Sequence, residues 1–135
     1  QWIYPYLWDD GMYTAEQNLI WGTGPDNWGT IFESGAIIDR SYNEYIDLLQ
    51  SRGLIIFALT IVFLIMTIVK MCKLVAGFMK DKNSWTGCAV SAAVFCYLIQ
   101  AFFNISSVTS SPYFWIAVGL VWSFTAVKSS AKKKS

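Results

Sequence analysis

The chain of 135 residues has no histidine, three cysteines, three prolines and few charges. Each shortage excludes something. Without histidine there is no imidazole to serve as a base near neutral pH or as a nitrogen ligand for a metal. Cys72, Cys88 and Cys96 lie in or beside apolar runs, with no metal-ligand spacing and no disulfide framework. No metal and no cofactor are therefore expected. Charged residues make up 14 % of the chain, where soluble domains carry about 25 %. Hydrophobic residues reach 55 % and the mean hydropathy is +0.41, so a soluble domain is the poorer reading.

The apolar residues come in blocks rather than at helical spacing. Gly53 to Val69 is 17 residues without a charge, Trp85 to Phe103 is 19, and Pro112 to Val127 is 16. A bilayer needs about 20 residues of helix, within a working range of about 17 to 25. A buried helix of a soluble protein would carry a polar face inside such a run. Gln100, Ser91 and Thr86 in the second run and Ser123 and Thr125 in the third make none. The expected class is an all-α integral membrane protein with three transmembrane helices, at about 53–71, 85–103 and 112–127.

Charge asymmetry orients those spans. Residues 1–52 hold eight acids against two bases, Arg40 and Arg52, whereas the rest holds eight lysines against Asp81 alone. Lys70, Lys73, Lys80 and Lys82 lie between the first two runs, and Lys128 with Lys132 to Lys134 follow the third. Lysine-rich loops stay in the cytoplasm. Residues 1–52 and the loop 104–111 are then extracytoplasmic, and 128–135 forms a cytoplasmic tail. That tail reads as a juxtamembrane anchor touching anionic lipid rather than a nucleic-acid patch.

Residues 1–52 begin with QWIYPYLWDDG, which is neither basic nor continuously apolar and is no signal peptide. The chain is expected to be the C-terminal part of a longer protein with further spans before it. Trp2, Tyr4, Tyr6, Trp8, Tyr13, Trp21, Trp28 and Phe32 crowd this region. Rings stack on sugars, but they also form belts at a membrane–water boundary. GTGPDNWG, Gly22 to Gly29, reads as a turn whose glycines allow positive φ; it lacks the Lys-Ser/Thr of a phosphate loop. Ser41-Tyr42-Asn43-Glu44 fits a capping box, with Ser41 as N-cap and Glu44 reaching back. The helix it opens would run through NEYIDLLQSRG and continue into the first span. Arg40 and Glu44 would be neighbours four apart, and Arg52 would sit at the lipid boundary with its stem along apolar surface. In the second span, Gly87 and Ser91 have the small-xxx-small spacing of a close helix contact.

GTGPDNW, then DRSYNEYIDLLQSRGL, then an apolar run, a lysine-rich loop and AVSAAVFCYLIQAFFNISSVTSSPYFWIAVGL together resemble the C-terminal part of the bacterial O-antigen ligase and O-antigen polymerase family. The likeness covers about residues 22–122. The family has a Gly-x-Gly-Pro turn, an Asp-Lys/Arg-x-His-Asn-x-Tyr-Leu motif, and a signature of His-Asn/Ser/Gln, nine residues, then Gly; Asn43, nine residues and Gly53 keep that spacing. Phe103 to Ser106 and Pro112 to Ile116 match its closing elements. The resemblance implies a membrane glycosyltransferase of the bacterial cytoplasmic membrane. Such an enzyme moves a glycan from an undecaprenyl-diphosphate carrier to an extracytoplasmic acceptor, which is a glycan, a lipid or a protein. Its partners would be that donor, membrane lipids and the preceding spans of the same protein, with no nucleic acid.

The family's histidine position is Tyr42. Phenols ionise near pH 10, so only about one in a thousand is a base at pH 7. The expected catalytic residues are Arg40, Tyr42 and Glu44. The expected substrate-binding residues are Arg40, Asn43 and Arg52, with the Arg40 guanidinium suited to hold a diphosphate bidentately. Two alternatives stay open: a non-catalytic transporter or scaffold subunit of a cell-envelope polysaccharide system, and a member of the family that has lost catalysis.

Overall fold

A computed structural model describes residues 4–25, 41–80, 85–104 and 109–134. Among them are four α-helices and no strand: α1 (Tyr4–Gln17), α2 (Glu44–Lys80), α3 (Trp85–Gln100) and α4 (Ser111–Lys134). The all-α class expected from the sequence is observed. The chain divides into two units, Gln1–Ile61 with Gln100–Ser106, and Val62–Ile99 with Ser107–Ser135.

In the first unit, α1 starts with Pro5 in its first turn, where a missing N–H costs nothing. Leu7, Gly11, Thr14 and Ala15 recur at helical spacing and form its buried face. The Thr14 hydroxyl, itself buried, donates to Asp10 O at 3.0 Å, so this face carries no unpaired hydroxyl. Tyr6, Met12 and Tyr13 are exposed on the other side. A turn at 18–21 follows and is closed by Gly22, which has φ 74° and donates its N–H to Asn18 O at 2.7 Å.

The second unit is held by rings and small residues. Phe63 of α2 stacks on Trp122 of α4 with centroids 5.5 Å apart and planes at 9°. The Trp122 indole N–H donates to Thr67 Oγ1 at 3.1 Å, and that hydroxyl donates to Phe63 O at 2.9 Å. Lys70 Nζ lies 4.2 Å from the Trp122 ring centroid, a cation–π contact. Tyr97 stacks on Phe114 at 4.2 Å. Gly87 and Ser91 are both buried, and a Cβ on Gly87 would come 3.4 Å from Leu74 Cδ2. The small-residue spacing in α3 thus marks a close approach to α2, as the sequence indicated.

Helices occupy all three places expected for spans, with different lengths. Glu44–Met79 is long and apolar enough to cross a membrane, whereas Trp85–Gln100 and the apolar part of α4, Ser111–Val127, have 16 and 17 residues. At 1.5 Å per residue these two reach about 24 and 26 Å, short of a hydrocarbon core of about 30 Å. The helices also overrun the expected boundaries at 71 and 127. α2 continues through Lys70 and Lys73 to Lys80, and the backbone of α4 is helical to Lys134. Neither extension contains proline, and Leu, Met, Ala and Lys are good helix formers. The expected boundaries marked the ends of apolar runs, and a helix can continue past such an end into charged residues.

Candidate functional site

The motif Ser41-Tyr42-Asn43-Glu44 opens α2, but not by the expected cap. Asn43, not Ser41, is the N-cap. Its Oδ1 accepts from Tyr45 N at 3.0 Å and Ile46 N at 3.3 Å, and its carbonyl accepts the first intrahelical bond from Asp47 N at 3.0 Å. The reason lies one residue earlier. Tyr42 has φ +50°, a left-handed conformation, so the helical run cannot begin directly after Ser41. Ser41 instead forms a small turn: its Oγ donates to Asn43 O at 2.9 Å and accepts from Asn43 N at 3.3 Å. Glu44 N donates to Ala101 O at 2.9 Å.

All four amides that a helix N-terminus leaves without intrahelical partners are therefore satisfied: Asn43 by Ser41, Glu44 by Ala101, and Tyr45 and Ile46 by Asn43. A helix start often binds anions through such amides. Here none is left over. These four amides are therefore not free to hold an anion.

The far end of the segment is held by a second set of bonds, although the buried Gln50 Oε1 there accepts none among the described residues. Gly53 has φ 75° and ψ 175°, a region open essentially to glycine alone, and it breaks α2 after Arg52. The break orphans carbonyls before it and an amide after it. The segment 19–24 supplies the partners: Thr23 N donates to Gln50 O at 2.8 Å, Gly24 N to Ser51 O at 3.0 Å, and Leu54 N to Leu19 O at 2.7 Å. Gln50, fully buried, adds a bond from Nε2 to Thr23 Oγ1 at 3.0 Å. The crossing is so close that a Cβ on Gly22 would lie 2.6 Å from Gly53 N, and one on Gly53 would lie 2.7 Å from Gly22 N and overlap Ile20 O. Two glycines face each other because nothing larger fits.

Asn43 and Gly53 thus frame one short helix, Glu44 to Arg52, fixed at both ends. Its nine residues span about 14 Å. Tyr42 stands exposed at the start, with Glu44 half-buried beside it. Asn43 is 4 % exposed and committed to the cap, which makes its role positional. Arg52 is exposed at the opposite end, next to the break, so it is not brought together with Tyr42 and Glu44. Arg40 lies outside the described residues. Tyr45 packs on Phe102 with centroids 4.6 Å apart, joining the short helix to the residues after α3. Among the described residues no three His, Cys, Asp or Glu side chains gather closely enough to hold a metal ion.

Sequence reasoning found the turn glycines and the spacing of Asn43 to Gly53, and it missed Thr23, Gln50 and Leu19. The available signal was an isolated glycine inside a helical pattern, which marks a break or a close backbone approach. No protein-family model, curated protein or solved structure matches the chain.

The cap has a measurable weight. Asn43→Ala removes the acceptor for two amides and is expected to destabilise the protein by about 1 to 2 kcal/mol, while Asn43→Asp, which keeps the acceptor, costs much less. Thermal denaturation of the purified protein in detergent compares them.

Proposed function

We propose that the chain is part of an integral membrane glycosyltransferase of the O-antigen ligase and polymerase type, with three membrane spans. The observation that carries the reading is the frame from Asn43 to Gly53. A turn bearing the motif residues is rigidly held at the head of an apolar helix, at the spacing that the resembling family uses. A lipid-linked donor needs that combination, with its prenyl tail in the bilayer and its diphosphate and sugars just outside. The exposure of the long helix supports the membrane part: only 17 % of its apolar window is buried within the protein, and a soluble core helix would be mostly covered. In this reading α4, whose backbone is helical beyond Val127, completes its span with a turn from its flank, and the second span is the 19-residue run Trp85 to Phe103.

In this reading Arg40 meets the diphosphate, Tyr42 and Glu44 face the acceptor and the reacting sugar, and Arg52 anchors the membrane boundary or a donor group nearer the bilayer. Cells lacking the protein should accumulate the undecaprenyl-diphosphate-linked glycan and lose the finished surface polymer. Loss of the polymer without accumulation of the carrier-linked glycan would instead favour an upstream role, such as transport or scaffolding.

The orientation makes a separate expectation. Cys72, exposed and within the lysine cluster, belongs on the cytoplasmic side, and a cysteine replacing Ser107 belongs outside. An impermeant thiol reagent added to intact cells should mark only the latter. Labelling of Cys72 from outside would invert the topology.

A further inference from the structure

The loop that clamps the break in α2 has one surface that the clamp does not use. Leu19, Ile20 and Trp21 are three consecutive large apolar residues, exposed by 40, 55 and 81 %. The Leu19 carbonyl is spent on the clamp, accepting from Leu54 N, while the three side chains stay exposed. That same bond fixes the level of the tip: it joins Leu19 to Leu54, which opens the exposed apolar stretch Leu54, Ile55 and Ile56 directly after Gly53. The stretch from Gln17 to Pro25 carries no charge at all, and the nearest acid before it is Glu16. An uncharged, apolar tip ending in tryptophan is suited to the boundary between headgroups and acyl chains, where an indole buries its ring and keeps its N–H wet.

We propose that the Leu19-Ile20-Trp21 tip is a lipid-contacting wedge seated in the headgroup–acyl boundary beside the start of the first span. The proposal rests on the reading that α2 crosses a membrane. The tip contains no lysine or arginine, so its contact is with the apolar boundary rather than with anionic headgroups. It sets the depth at which Gly53 sits, and through the clamp it couples lipid contact to the frame from Asn43 to Gly53.

The test uses the whole chain with Cys72, Cys88 and Cys96 replaced by serine, reconstituted in phosphatidylcholine vesicles. A single cysteine is introduced as Trp21→Cys, Leu59→Cys or Glu16→Cys and labelled with an environment-sensitive fluorophore. Leu59 is 63 % exposed in the middle of the apolar run and reports on the span itself. The expected result is deep quenching at 59 by lipids brominated near the chain ends. At 21, blue-shifted emission quenched best by lipids brominated near the headgroup is expected, unchanged by added anionic lipid or salt. No quenching is expected at 16. Quenching at 59 with water-like emission at 21 overturns the wedge alone. A blue shift at 21 without lipid quenching also overturns it, since a second copy or another segment then covers the tip. Absence of quenching at both 59 and 21 removes the spanning reading and the wedge together.

Discussion

Gly53→Ala is expected to destabilise the protein by about 4 kcal/mol or more. Two costs add. The backbone conformation at Gly53 is nearly closed to other residues, which costs of order 1 to 3 kcal/mol. The new Cβ also overlaps backbone atoms of Ile20 and Gly22, and backbone cannot swing aside as a side chain can. Relief requires the loop to lift, and lifting it releases the bonds from Thr23, Gly24 and Leu54, each worth about 1 kcal/mol net and more where burial leaves a group unpaired. Gly22→Ala meets the same crossing from the other side and should behave alike. Gly24→Ala is the internal control. Its φ of 91° is also positive, but nothing lies within 4 Å of the added carbon, so only conformational strain of about 1 to 2 kcal/mol is expected. Thermal denaturation in detergent separates the three. Equal losses at all three glycines would mean that strain alone matters and that the close crossing does not exist.

The sequence made parts of this arrangement readable and hid others for physical reasons. Gly22 and Gly24 were legible as positive-φ positions because a Gly-x-Gly-Pro run has few other uses. The Gly87–Ser91 face of α3 was legible because small residues four apart serve close helix approach. The start of α2 was misplaced by two residues because Ser41 and Asn43 both carry a capping oxygen, and only the left-handed Tyr42 decides between them. The clamp was not legible. Its bonds run mostly between backbone atoms, which leave no side-chain signature, and they join residues about 30 positions apart. The Trp122–Thr67–Lys70 cluster was hidden likewise, since each residue has an ordinary local explanation. At the candidate site, residue types and spacing were readable, while the division of labour between framing and exposed groups needed the hydrogen bonds.

If the chain is the proposed glycosyltransferase, Arg40→Ala is expected to lower glycan transfer at least about a hundredfold. Departure of a diphosphate leaves negative charge that must be met by preorganised donors, and losing one such donor typically costs about 10²- to 10³-fold. The helix N-terminus cannot supply it, because its four amides are already engaged. On the proposed reading Arg40, three residues before the N-cap in sequence, supplies that charge, and Arg40→Lys should restore activity only partly because the bidentate fork is lost. Tyr42→Phe should cost less than about tenfold, since a general base contributes its about 10²- to 10⁴-fold only with a pKa near the working pH. Tyr42→His should be tolerated or improve the rate. Histidine is among the residues enriched at positive φ, so it suits the backbone at this position, and it brings a base that titrates near neutrality. Abolition by Tyr42→Phe with a mild Arg40→Ala would reverse these roles.

Whether the protein breaks the bond between sugar and carrier is the central claim, and one measurement addresses it directly. The purified full-length protein is given an undecaprenyl-diphosphate-linked glycan and an acceptor, and both the free carrier diphosphate and the extended acceptor are quantified over time. A glycosyltransferase releases one carrier diphosphate for each glycan transferred, and the release stops with Arg40→Ala at matched protein levels. Donor that binds and is recovered intact, with no carrier released in the presence of any acceptor, would contradict the account and leave a transporter or scaffold in its place.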